Sequence, residues 1–176
     1  QFNIQPTARV AVIGIGGLGH IALQFLKAWG CQVTAFTSSD DKKEEALALG
    51  AHKVLNTRNP AELGAAKNQF DLILSTVNVK LDWNAYITTL RPKGRLHFLG
   101  VTLESLDINV FPLISNQCSV SGSPVGSPAS LKTMLNFVEQ HDIEPIVEIF
   151  RFDQINEALA RLASGKAKYR IVLSNH

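Results

Sequence analysis

The chain has 176 residues, 17 Lys and Arg against 15 Asp and Glu, and a formal net charge of +2. That balance excludes a nucleic-acid or strongly acidic partner, and no apolar run reaches the length of a membrane span. With 45% apolar residues it can bury one sizeable core, and Cys31 and Cys118 read as reduced thiols, so a cytoplasmic α/β domain is expected.

In chain order, residues 9–13 form an apolar strand, followed by a glycine turn and a helix running to Gly30. That helix carries Leu18, Ile21, Ala22, Phe25, Leu26 and Trp29 as one buried stripe. A second strand follows from Gln32, ending at Thr37, Ser38 and Ser39. A short helix over residues 42–49 is closed by Gly50, a third strand covers 52–55, and a brief helix covers 60–66. The fourth strand spans 70–75, and Asp82 caps a helix predicted to reach Leu90. Pro92, Lys93 and Gly94 turn into a fifth strand, 95–99, which ends at Gly100. A sixth covers 119–122, and a helix over 127–140 shows Leu131, Met134, Leu135 and Val138 on one face.

Strands alternating with helices predict right-handed crossovers and a Rossmann-type, doubly wound parallel sheet of order 3-2-1-4-5-6. Ligand is then expected across the carboxyl ends of strands 1 and 4. Beyond residue 145 the pattern changes. A strand at 146–152, a helix opened by Asp153 and a strand at 169–173 either extend the sheet or join a neighbouring domain. The expected division is therefore 1–145 as a nucleotide-binding domain and 146–176 as a tail. Because the chain opens on Gln1 and enters a strand by residue 9, it is expected to be a piece of something longer.

The feature that carries function is Gly14-Ile15-Gly16-Gly17-Leu18-Gly19 between a strand and a helix. Gly14 permits a tight turn, Gly16 lets the backbone approach a pyrophosphate, and Gly19 brings the helix close to the sheet. The helix N-terminus then faces the phosphates. The alternative is a ligand-free βα turn, for which three glycines are an unfavourable choice.

With His20, this turn joins Lys42-Lys43-Glu44-Glu45-Ala46-Leu47, Leu49-Gly50-Ala51, Ile155-Asn156-Glu157-Ala158 and Lys168-Tyr169-Arg170 in a pattern that resembles the medium-chain, zinc-type alcohol dehydrogenases. The NADP-dependent, cinnamyl-alcohol-dehydrogenase-like branch is the nearest in pattern. The resemblance covers nearly the whole chain and implies the cofactor-binding half of an NADP(H)-dependent alcohol dehydrogenase or aldehyde reductase. The catalytic zinc and proton relay are implied to lie in a separate catalytic domain, to which the tail returns. No catalytic or metal-ligating residue is then expected in this chain. The resemblance further implies an alcohol or aldehyde substrate and a homodimer joined through the sixth strand.

Cofactor choice turns on the end of strand 2. NAD-binding versions usually place a carboxylate there; here Thr37, Ser38 and Ser39 stand in its place, with Lys42 beyond. Hydroxyls and an ammonium suit a 2′-phosphate, whereas Asp40 and Asp41 oppose it, and a serine can simply cap a helix. The residue types favour NADP over NAD. By resemblance, Thr76 lies beside the nicotinamide ribose, Gly100 lets the cofactor pass, and Ser123, Pro124 and Val125 hold the carboxamide. His20 is expected either at a phosphate or in a local polar contact. His20, His52, His97, His141 and His176 show no metal spacing. A methyltransferase is disfavoured because strand 2 ends without an acid. A non-catalytic nucleotide-binding or redox-sensing module remains a distinct alternative.

Overall fold

Alternate residues of the strands enter two different cores. In the computed structural model, which describes residues 2–175, β1 (Arg9–Ile13) sends Val10 and Val12 to one face and Ala11 and Ile13 to the other. Both faces are covered, which is why this strand is apolar throughout rather than alternating with polar residues. Around it lie β2 (Gln32–Thr37), β3 (Lys53–Asn56), β4 (Phe70–Ser75), β5 (Leu90–Phe98) and β6 (Ser119–Gly122). All pair in parallel, in the order β3-β2-β1-β4-β5-β6 expected from the sequence.

The helices α1 (Gly19–Ala28) and α2 (Lys43–Ala48) supply Leu23 and Ala46 to the Val10–Val12 core. On the opposite face, α3 (Pro60–Ala65) and α4 (Trp83–Ile87) bring Leu63, Trp83, Tyr86 and Ile87 against Phe36, Ile73 and Leu96. Asp82 does cap α4, its side chain accepting from the Ala85 amide, but the helix stops at Ile87 and Leu90 already belongs to β5. The expected turn at Pro92–Gly94 is a bulge within that strand. Phe70 pairs with Leu90 and Leu72 with Arg95, so residues 91–94 loop out of register.

Two further expectations are corrected. The stripe of α1 was expected to be buried, yet Leu18 and Trp29 are exposed, and the buried face consists of Gly19, His20 and Leu23. A helix packed by a glycine meets the sheet through its narrowest face, which turns the larger residues outward. The segment Val110–Asn116 forms a helix, α5, where none was expected. Asn109 caps it by accepting from the Phe111 amide, and Pro112 falls in its first turn, where no amide donor is required.

After α6 (Pro128–Gln140), the tail forms β7 (Val147–Arg151), α7 (Ile155–Ala163) and β8 (Arg170–Ser174). β7 and β8 pair only with each other, as a separate two-stranded parallel sheet. Of the two open alternatives, extension of the main sheet is therefore excluded.

Candidate functional site

The sheet order reverses between β1 and β4, and a crevice opens beyond their carboxyl ends. β1 runs directly into the glycine turn. Gly14 has φ +85°, and a Cβ there would lie 2.4 Å from Val77 Cγ1. A Cβ on Gly19 would fall 1.8 Å from the Gly14 carbonyl oxygen. Both positions are glycine for reasons internal to the fold. Gly16 is different, because nothing lies within 4 Å of a Cβ built there. The protein leaves that approach open.

Immediately behind the turn, α1 begins with no side-chain cap and no acidic residue in its first turn. Its leading N–H groups and positive dipole end are available to an anion on the same side. Leu18 lies exposed at the helix start, and Gly17 lies under the tail, 3.3 Å from the Tyr169 carbonyl oxygen measured from its Cβ position.

Thr76, just past β4, locks this turn. Its hydroxyl lies 2.7 Å from the Gly14 carbonyl oxygen and 3.0 Å from that of Ile13. Gly100 lets the β5 end approach β4, since a Cβ there would meet the Val77 carbonyl oxygen at 2.4 Å. Ser123 follows β6 on the same edge, its hydroxyl 2.9 Å from His97 Nε2, while Pro124 and Val125 are exposed.

At the end of β2, Thr37 is buried and its hydroxyl donates to the Ser39 carbonyl at 2.9 Å. The Thr57 amide and hydroxyl both donate to the Thr37 carbonyl. This brace shapes a cleft of about 150 Å³ lined by Gly14, Thr37, Ser38 and Lys42, with Val79 and Tyr86 opposite. Ser39 does not line it. Its hydroxyl is engaged by Asp41, which is the main reason the Asp41 carboxyl sits below its ordinary range, the Lys42 charge adding to it. Ser38 and Lys42 thus share one cleft with the turn, and Asp41 is tied to its own loop.

Two elements of the site go beyond the sequence reading: His20, whose expected local polar contact holds but which also reaches the far end of the chain, and Arg170. His20 is completely buried and faces the backbone, not the open space: Nδ1 lies 2.9 Å from the Gly16 carbonyl oxygen and Nε2 receives the Ile146 amide at 3.2 Å. Burial, and then the Arg170 charge, hold its pKa below the ordinary value. The second element is Arg170 itself, whose Cγ and Nε lie 3.9 Å from the Gly17 Cβ position. It brings a guanidinium to the turn from the far end of the chain. Its sequence signal was its place in the Lys168-Tyr169-Arg170 motif, which assigned it no role at the turn.

The other histidines do local work. His52 Nδ1 accepts from the Val33 amide, His97 bridges Ser121 and Ser123, and His141 packs on Phe137; His176 lies outside the described residues. Among the described residues no three His, Cys, Asp or Glu side chains gather closely enough to hold a metal. No helix among the described residues is long and apolar enough to cross a membrane.

Comparison with known proteins agrees with this geometry. Residues 17–140 match the family described as zinc-binding dehydrogenase. An aldehyde reductase AdhA from Synechocystis sp. is 63% identical over 99% of this chain, and an NADP-dependent alcohol dehydrogenase from Mycolicibacterium smegmatis is 38% identical over 98%. The alignments cover 52% and 50% of those relatives, so the chain spans about half their length. A cinnamyl alcohol dehydrogenase from Sorghum bicolor superimposes with TM-score 0.91 at 34% identity, over 96% of this chain and 48% of that one. A cinnamyl alcohol dehydrogenase from Helicobacter pylori, solved with NADP(H), superimposes with TM-score 0.84 at 29% identity, over 98% and 49%. With its parallel 3-2-1-4-5-6 sheet and a family match over most of its length, the chain belongs to the zinc-binding dehydrogenase family.

Proposed function

We propose that this chain is the NADP(H)-binding half of an alcohol dehydrogenase or aldehyde reductase whose zinc and proton relay lie outside these 176 residues. The single observation that carries the reading is the open space in front of Gly16, beside an uncapped helix terminus and a cleft holding Ser38 and Lys42. The bound dinucleotide supplies hydride exchange with an alcohol or aldehyde carbon. The protein's part is to bind and orient it. The turn and α1 take the diphosphate through backbone N–H groups, and Arg170 adds a planar cation. Ser38 donates to a 2′-phosphate and Lys42 neutralises it. Thr37, through its brace on residue 39, shapes the cleft, and Thr76 fixes the turn beside the nicotinamide ribose. Gly100 keeps the passage free of side chain. Ser123, Pro124 and Val125 offer backbone groups to the carboxamide.

The same reading assigns the β7–α7–β8 tail to contact with a catalytic domain. Ile149, Leu159 and Leu162 are exposed on it, an apolar face suited to such a partner. It also assigns β6, the edge strand, to pairing with a second copy about a two-fold axis. Exposed Val110, Phe111 and Ile114 of α5 flank that joint.

Titration of this chain with NADPH and NADH, followed by nicotinamide fluorescence, tests the reading. Tighter binding of NADPH is expected, with no alcohol oxidation by the chain alone. Tighter binding of NADH favours the second reading, an NAD-dependent member of the family, which the neighbouring Asp40 and Asp41 support. Binding of neither removes the dinucleotide site.

A further inference from the structure

One buried ring joins the phosphate turn to the far end of the chain. The Ile146 amide, which reaches His20 Nε2, can only donate, and the Gly16 carbonyl, which faces Nδ1, can only accept. The ring is therefore neutral, with its proton on Nδ1. A second proton on Nε2 would set two donors against each other and break the bond to Ile146.

Ile146 is also where the tail is fastened. Its carbonyl accepts from the Tyr169 and Arg170 amides, both at 3.3 Å. Tyr169 stacks on the His20 ring with centroids 4.4 Å apart and planes 9° from parallel. The next residue, Arg170, lies over Gly17. A single residue, Ile146, thus connects His20 through its N–H, and Tyr169 and Arg170 through its C=O, so that one backbone position joins the ring to the residues that carry the guanidinium to the turn.

We propose that His20 is a positioning residue for the phosphate site. Neutral, it holds Ile146, and through it Tyr169 and Arg170, against the glycine turn; protonated, it releases that segment and diphosphate binding weakens. The proposal rests on the turn being a diphosphate cradle. The other ionisable groups that face the ring or its stacking partner are Tyr169, Arg170, Glu45 and Lys168. Burial raises the Tyr169 phenol, and the Glu45 carboxylate beside it raises it further. Glu45 itself, from α2, is held below the ordinary carboxylate range by Lys168, its ion-pair partner at 2.9 Å. The loop before Ile146 carries His141, which packs on Phe137, and two carboxylates, Asp142 and Glu144; the Glu144 backbone carbonyl takes the Gln24 side-chain amide. Burial and the Arg170 charge place the His20 transition below its ordinary 6.5.

ADP-ribose is the suitable probe, because it carries the diphosphate but neither the 2′-phosphate nor the nicotinamide. Calorimetry from about pH 7.5 to 5 should show wild-type affinity falling by up to about tenfold per pH unit below the His20 transition. His20→Phe keeps the stacking on Tyr169 but loses both hydrogen bonds. It should bind about two- to tenfold more weakly at neutral pH and show a flat profile in acid. In the wild-type protein without ligand, ring-nitrogen NMR should report an Nδ1–H tautomer, and the Ile146, Tyr169 and Arg170 amides should lose exchange protection together on acidification. Parallel pH profiles for both proteins, an Nε2–H tautomer, or amides that stay protected through the His20 titration would overturn the proposal. Failure of ADP-ribose to bind wild type at any pH would remove the diphosphate cradle, while the tautomer and exchange measurements would still report separately on the latch. Should His20→Phe not fold, these two wild-type measurements decide the matter.

Discussion

Gly19 packs directly on Gly14: a Cβ on the former would sit 1.8 Å from the carbonyl oxygen of the latter. The helix and loop from Gly14 to Gly30 follow from that approach, whereas a Cβ on Gly16, two residues after Gly14, would meet nothing within 4 Å. The two glycines should therefore fail differently. Gly19→Ala should cost at least about 2–3 kcal/mol in denaturant unfolding, because backbone must move. Gly16→Ala should leave stability within about 1 kcal/mol yet weaken NADPH binding about tenfold or more. Equal loss of stability in both would remove the argument that Gly16 serves a ligand.

The cleft shared by Ser38 and Lys42 predicts the cofactor preference. Ser38→Asp exchanges a hydroxyl donor for a carboxylate facing the 2′-phosphate. A charge-assisted hydrogen bond of about 1.5–3 kcal/mol is lost and repulsion is added, so NADPH affinity should fall at least about tenfold while NADH affinity holds or rises. Unchanged affinities for both would leave Ser38 as a loop residue only.

The single Thr76 hydroxyl hydrogen lies between two carbonyls, of the turn and of its flanking strand, with that of Gly14 the nearer. Thr76→Val keeps the shape and removes the donor, with an expected loss of about 1–3 kcal/mol on unfolding. Ligand binding should weaken with it. A variant as stable as wild type would show that the turn holds its form without this clamp.

The β6 edge predicts self-association. Ser123 N–H donates inward to the Phe98 carbonyl, and in a parallel ladder inward bonds fall on alternate residues, so the Val120 N–H points to the open edge. The strand carries no Lys or Pro to discourage pairing. Sedimentation at tens of micromolar should report a dimer, and Val120→Pro a folded monomer. A wild-type monomer would refute the edge pairing.

Stability should also fall in mild acid. His20 and His97 both have pKa values depressed chiefly by burial, so the unfolded chain binds protons more readily than the folded one. Their contribution is complete above the unfolded value of 6.5 and is lost as pH falls toward the folded values. Thermal unfolding between about pH 7.5 and 5 should show a midpoint that drops, by less in His20→Phe than in wild type. A midpoint independent of pH across that window would contradict both assignments.

Strand order, the glycine turn and the helix behind it were legible because they follow from local pattern: apolar runs of strand length, crossovers of helix length, and glycine where backbone must come close. Element ends were less legible. Leu90 reads as the end of a helix by periodicity, but pairing with Phe70 draws it into β5, and the Pro92–Gly94 turn signal became a bulge inside the strand. No helix was expected at Val110–Asn116, whereas the Asn109 cap opens one and a proline in its first turn breaks nothing.

What the sequence determined by itself was the doubly wound sheet and the glycine turn at the end of its first strand, since both are set by spacing along one stretch of chain. Only the tertiary structure decided which residues converge there from a distance. It brought Arg170 over Gly17, set His20 between Gly16 and Ile146, and separated Ser38, which lines the cleft, from Ser39, which Asp41 occupies. Contacts between residues more than a hundred positions apart leave no periodic trace in a sequence. They arise from packing the tail against α1, where burial selects one tautomer and one partner for each polar atom.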